Sequence, residues 1–187
     1  MDTSVFSGLN RQQFRRYFQP SRLVMCVLPG APTESGVNVI TLSFCMHCSY
    51  RPPMMAIAIQ NINTSFRLVE QAAEFVLAVP GEEMASEAMA CGIESAKNVD
   101  KVKTLNIALV PSEVVSVPGL ANAIANIELK KRSVVEAGDH LVVVGEVLKF
   151  GVNEQKRARP LLSVGPDFGG YLVLAESGIH RIGVVDG

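Results

Sequence analysis

Tryptophan is absent from this chain, and charge is scarce. Eight phenylalanines and three tyrosines are its aromatics, and Asp, Glu, Lys and Arg make up 19% of its 187 residues, against about 25% in an ordinary soluble domain. Seventeen basic residues stand against eighteen acidic ones, for a net charge of −1. No long-range positive field exists to draw in a phosphate backbone, so a nucleic-acid partner is not expected. Long hydrophobic runs are missing too. The longest, residues 23–29 and 54–59, fall far short of the ~20 residues that cross a bilayer, so no membrane partner is expected either. No glycine-rich dinucleotide fingerprint, no Walker loop and no Gly-x-Ser-x-Gly elbow occurs. The run Gly165-Pro166-Asp167-Phe168-Gly169-Gly170 has the wrong glycine spacing and a proline where a phosphate loop needs a free N–H. A nucleotide bound here must be held without the usual phosphate loops.

What is present is apolar. Hydrophobic residues reach 48%, enough for a real core, and the length fits a single domain spanning 1–187. High apolar content with few charges points to surface hidden in a partner subunit. Residues 1–18 alternate polar and aromatic side chains with no apolar signal region. Arg15-Arg16-Tyr17-Phe18 has a superficial likeness to a twin-arginine export signal, but the following Pro20 favours an ordinary helix face. The expectation is a cytoplasmic protein with reduced thiols at Cys26, Cys45, Cys48 and Cys91.

Along the chain, Phe14, Tyr17 and Phe18 fall at helical spacing, which predicts a short N-terminal helical segment within residues 1–20, packed on the rest. Residues 23–28 read as a buried strand, 37–48 as one long second strand, and 54–59 as a third, apolar on both faces. Residues 64–74 change to helical period, with Asn63, Thr64 or Ser65 as cap. Residues 75–79 return to strand, and 82–91 are helical with Gly92 as the stop. Residues 94–105 are polar and irregular or briefly helical. Residues 123–136 and 140–152 bracket Ala137-Gly138-Asp139, a hairpin signal. Short strands follow at 161–164 and 171–174. Strands outnumber helices and seldom alternate with them, so a closed antiparallel barrel with two or three helices outside is expected.

Four clusters could carry chemistry. Cys45-Met46-His47-Cys48 reads as a redox pair, as half a zinc site, or as small apolar packing. In a strand, residues three apart face opposite ways, and no second ligand pair exists at compatible spacing, which favours packing and no metal. His140, after Gly138-Asp139, is either a plain turn histidine or an imidazole at a barrel rim, where ligands enter such folds. Asn61–Ser65 either caps a helix or forms an anion site, since a helix N-terminus offers free N–H groups and partial positive charge. Asn38, Thr41 and Ser43 are polar within an apolar run and need partners when buried.

Taken in order, several segments resemble the flavin reductase-like family of FMN-binding split barrels, flavoredoxins in particular. They are Asn38-Val39-Ile40-Thr41-Leu42-Ser43-Phe44, Ser49-Tyr50-Arg51-Pro52-Pro53 with the apolar run 54–59, and Thr64-Ser65 before a helix. Phe75-Val76-Leu77-Ala78-Val79-Pro80, Cys91-Gly92, Val99-Asp100-Lys101, Glu136-Ala137-Gly138-Asp139-His140 and Val144-Gly145-Glu146-Val147 complete the set. The resemblance implies a mainly β (α+β) fold, a six-stranded antiparallel split barrel with flanking helices, and a homodimer holding one FMN per subunit near the interface. It implies that Asn38, Val39, Ile40, Thr41, Ser43 and Phe44 line the flavin, with Ile59 supporting the ring from the apolar strand face. Thr64 and Ser65 would lie by the phosphate or ribityl chain, and Lys101 and His140 would approach the cofactor, His140 as the catalytic group. Tyr171 and Phe168 would reach the ring. The activity implied is an NAD(P)H-dependent flavin reductase. The alternative is a flavoredoxin-like carrier that exchanges electrons with a protein partner.

Overall fold

The computed structural model describes residues 18, 20–97, 99–156 and 159–163, with the backbone of Tyr171–Val173. Its strands are β1 (Ser21–Arg22), β2 (Val24–Pro29), β3 (Val37–Leu42), β4 (Cys45–Tyr50), β5 (Pro53–Gln60), β6 (Glu74–Val79), β7 (Leu109–Val110), β8 (Gly119–Leu120), β9 (Ala125–Ala137), β10 (His140–Val152), β11 (Leu161–Ser163) and β12 (Tyr171–Val173). Among the described residues, three α-helices join them: α1 (Thr64–Gln71), α2 (Ala85–Ile93), entered through a 3-10 turn at Glu82–Met84, and α3 (Lys101–Thr104). The seven-stranded sheet runs β3-β2-β6-β9-β10-β5-β4, antiparallel throughout. The backbone of Ala58 donates to the Phe44 carbonyl where the chain passes from one edge strand to the other.

Two cores follow from the period-two alternation of these strands. One face of the sheet carries Cys26, Leu28, Ile40, Leu42, Ile57, Ile59, Phe75, Leu77, Leu129 and Leu141 inward, closed by Leu68 and Val69 of α1. The other face carries Met25, Val27, Val39, Val76 and Ala78, covered by Ala88 and Cys91 of α2 and by Val115, Val117 and Leu120. β2 is therefore apolar on both sides, which is why residues 23–28 show no alternation. The β9–β10 hairpin is thirteen residues per strand. It turns at Gly138, whose φ of 63° is one an L side chain rarely adopts.

The mainly β split-barrel architecture agrees with the sequence reading, with seven strands in the main sheet in place of six. Two local expectations are corrected. Residues 37–48 do not form one strand: β3 and β4 lie at opposite edges of the sheet, and Ser43-Phe44 makes the crossing. Gly92 does not stop α2, which runs to Ile93 and ends as Glu94 turns extended. The N-terminal helical segment and Phe168 lie outside the described residues. Among the described residues, no helix is long and apolar enough to cross a membrane.

Candidate functional site

A cleft of about 150 Å³ opens at the N-terminus of α1, lined by Ile40, Asn63, Thr64, Ser65, Cys91, Ser95 and Lys101 among others. Its chemistry is set by the helix end. Asn63 sits in the cap position with extended backbone, but its side chain makes no cap hydrogen bond, and the first turn holds no acidic residue. The Asn63 carbonyl accepts from the Phe66 N–H at 3.1 Å, which leaves the N–H groups of Thr64 and Ser65 without an intrahelical partner, and Glu94 brings one carboxylate into the same lining. The Thr64 hydroxyl pairs with that of Ser95 at 3.1 Å.

Lys101 supplies the cleft's cation from below. Its side chain is buried, and Nζ donates to the carbonyls of Val39 at 2.8 Å and Cys91 at 3.0 Å. Burial pushes this ammonium below the ordinary lysine range, with the Cys91 thiol and Glu94 opposing. An ammonium has three donors, so two carbonyls do not exhaust it.

Asn38 is 2% exposed and donates from Nδ2 to the Ser65 hydroxyl at 2.7 Å. Its Oδ1 is buried with no partner. Exchanging the amide's oxygen and nitrogen gives no relief, since the buried Nδ2 would then lack an acceptor. A buried amide oxygen in want of a donor, beside serine and threonine hydroxyls, fits a ligand carrying hydroxyl groups.

His140 opens β10 opposite Gln60 of β5. Its Nδ1 lies 2.7 Å from the Asp139 carboxylate, and its ring packs against Phe44 with centroids 5.3 Å apart. Phe44 itself is 52% exposed. The Asp139 carbonyl accepts from the Asn61 backbone N–H at 2.9 Å. This bond pins the turn of the β9–β10 hairpin to the connection that leads into α1. His140, Phe44 and the α1 cleft thus flank one short stretch of chain.

Not every residue named from sequence joins this group. Asn38, Ile40, Thr64, Ser65 and Lys101 come together, as do Phe44 and His140. Val39 and Ile59 are fully buried. Thr41 lies on the sheet face opposite Asn38 and Ile40, where its hydroxyl donates to the Ala88 carbonyl at 2.6 Å. Residues 38 and 41, three apart in a strand, cannot share a face. Ser43 is half-buried in the crossing between β3 and β4. The backbone of Tyr171 pairs with Ser163, and its side chain lies outside the described residues. Ser95 was missed, because its partner Thr64 is 31 residues away and the polar segment around it carries no local signal.

The cysteines divide. Cys45 is half-buried against the inner core and burial raises its thiol to about 11, while Cys91, buried between α2 and β3, is also raised to about 11. Cys48 is exposed at an irregularity in β4, so packing accounts for Cys45 and not for Cys48. Among the described residues, no group of three or more His, Cys, Asp or Glu could hold a metal. At the other end of the barrel, where β5 begins and β10 ends, a larger apolar cleft of about 740 Å³ runs between Val24, Met55, Val147, Phe150 and Leu161.

Residues 14–171 match the flavin reductase like domain. The chain belongs to the flavin reductase-like family. A relative from Pyrococcus abyssi, an uncharacterised protein, is 35% identical over 140 residues, covering 75% of this chain and 78% of its own. Solved structures similar to this family member include the FMN-binding protein of Thermus thermophilus with bound p-hydroxybenzaldehyde. Its TM-score is 0.79 at 22% identity, over 94% of this chain and 98% of that one. The flavoredoxin of Desulfovibrio vulgaris (Miyazaki F) scores 0.74 at 22% identity, over 88% and 91%. The NADH:FAD oxidoreductase of Streptomyces globisporus C-1027 scores 0.75 at 21% identity, over 90% and 96%. At these identities the structures speak to the fold, which they share with this flavin reductase-like chain.

Proposed function

We propose that this flavin reductase-like protein binds FMN and passes electrons from NADH or NADPH to flavin as a cytoplasmic homodimer. The observation that carries the reading is the α1 cleft, where the start of the helix, hydroxyls and a buried lysine line one space, and Ser65 of that lining accepts from Asn38, whose own oxygen is buried without a partner. Such a set suits a phosphomonoester at the end of a polyhydroxyl chain. When bound, FMN supplies the hydride-accepting ring and the redox chemistry itself. Lys101 and the α1 N–H groups would hold the phosphate, with Thr64 and Ser65 beside it. Asn38 would accept a hydrogen bond from the ribityl chain. Phe44 and His140 would meet the ring, His140 supplying positive charge or a hydrogen bond where negative charge develops. Ile40 would offer the cofactor an apolar contact, with Ile59 behind it in the core.

Flavin retention should fall about tenfold in Asn38→Ala and in His140→Ala, each losing one hydrogen bond or charged contact of about 1.4 kcal/mol. Titrating apo protein with FMN measures it, and unchanged affinity in both variants would sink the placement. Mixing the holoprotein anaerobically with NADH and with NADPH tests the activity: rapid bleaching of the flavin's visible absorbance is expected. No bleaching with either, but fast reduction by a ferredoxin-like protein, would favour the electron carrier, the role that the name of its flavoredoxin neighbour supports. Low charge and the exposed Met46, Tyr50, Phe150 and Val152 support the homodimer. The solution mass should be twice 20.1 kDa.

A further inference from the structure

Histidine presents two different nitrogens, and the partner of one decides what the other can do. The Nδ1 of His140 lies 2.7 Å from Oδ1 of Asp139. A carboxylate only accepts, so the proton in this contact must sit on Nδ1. The Asp139 backbone is fixed independently: Gly138 turns the chain at a φ of 63°, and the Asp139 carbonyl is held by the Asn61 N–H at 2.9 Å. The imidazole is held in turn by Phe44, 5.3 Å away between ring centroids. The Asp139 backbone and the imidazole are thus held by separate contacts, at the hairpin turn and at the crossing between β3 and β4.

We propose that Asp139 is a positioning residue that holds His140 in its Nδ1–H tautomer. Free imidazole prefers the other tautomer, so the choice is imposed by the fold. Neutral His140 then shows a lone pair at Nε2. It accepts a hydrogen bond or a proton there, and donates from Nε2 only after taking a proton up. A histidine so held can answer negative charge beside it by gaining a proton at Nε2, while Nδ1 stays bound to Asp139. The tautomer assignment stands on the geometry alone, and its catalytic consequence rests on the flavin reading above.

Nitrogen-15 NMR of the full-length protein, at a pH above the ordinary histidine titration range, reads the tautomer directly. His140→Ala identifies the signal. In the native protein His140 should show a protonated Nδ1 and an unprotonated Nε2. Asp139→Ala should shift the population toward Nε2–H. Asp139→Asn, whose amide can accept or donate, should give a mixture and remains informative where the alanine variant folds poorly. A native His140 already in the Nε2–H form, or one unmoved in both variants, would overturn the proposal. In the FMN-loaded protein, kcat should drop about tenfold in Asp139→Ala and less in Asp139→Asn, with FMN affinity and nicotinamide KM changing less than twofold. Equal losses in FMN affinity and kcat would assign Asp139 a merely structural role. A protein that takes up no flavin would remove the proposed function and leave the NMR result standing.

Discussion

Replacing Lys101 with glutamine should weaken FMN binding about a hundredfold, which is about 2.7 kcal/mol and within the range for a hydrogen bond to a charged group. Riboflavin binding should hardly change. The two ligands differ only by the phosphate, so their ratio isolates the charge. Glutamine keeps an N–H donor for the carbonyls of Val39 and Cys91, which Nζ holds at 2.8 and 3.0 Å. Methionine would fill the same space but leave both carbonyls unpaired. That variant should lose stability as well as FMN, and comparing the two separates the ammonium's charge from its bridging of β3 to α2. A parallel loss of FMN and riboflavin in Lys101→Gln would mean that the lysine acts on the fold rather than on the phosphate.

Burial also fixes how this site responds to pH. It holds the Lys101 ammonium below its ordinary value of 10.5. Between the lowered value and 10.5, the unfolded chain keeps a proton that the folded chain has released. The unfolded state binds more protons in that window, so the cost of burying the charge is relieved as pH rises through it. Affinity for a phosphate moves the other way, because the cation is lost over the same window. FMN binding should weaken at alkaline pH before a solvent-exposed lysine would titrate, with riboflavin unaffected. In Lys101→Gln that pH dependence should vanish. Fluorescence titration of both flavins against pH measures it.

The barrel was legible where one physical cause dominates a stretch of sequence. β2 is buried on both faces, and its unbroken apolar run says so. The β9–β10 hairpin announces itself through Gly138, the residue with φ of 63°. The break at Ser43-Phe44 was not legible, because neither residue is a helix or strand breaker. What splits the strand is the competition between β2 and β5 for its two halves, a tertiary matter. In the site, Asn38 and the start of α1 could be read as polar groups in need of partners. Thr41 could not be assigned with them, since its partner is a backbone carbonyl of α2. Alternation alone, applied strictly to residues 38 and 41, separates the two. Asp139 was visible as a turn residue only. Its hold on His140 depends on a rotamer that no spacing encodes.

Glu128→Ala should cost about 4 kcal/mol, among the larger losses a single side chain causes. Glu128 is 6% exposed on β9. Its carboxylate accepts from three consecutive backbone N–H groups, of Glu113 at 2.9 Å, Val114 at 2.7 Å and Val115 at 3.1 Å. These are charge-assisted bonds, shorter and stronger than neutral ones. They also decide packing. The same loop brings Val115 and Val117 onto the outer face of the sheet, beside Met25, Val27 and Val76. Without the carboxylate, three amides lose their acceptor and the loop is free to lift away from that core. The melting temperature should fall by roughly 10 °C in a chain of this size. Glu128→Gln keeps one acceptor oxygen and should lose about half as much. Glu74 binds the same loop through the backbone and hydroxyl of Ser116, both at 2.9 Å, but Glu74 is only half-buried and these bonds are exposed. There water can replace the lost contacts, so Glu74→Gln should cost no more than about 1 kcal/mol. Calorimetry on the three variants tests the ranking, and a Glu128→Ala protein as stable as Glu74→Gln would show that the buried carboxylate does not hold the loop.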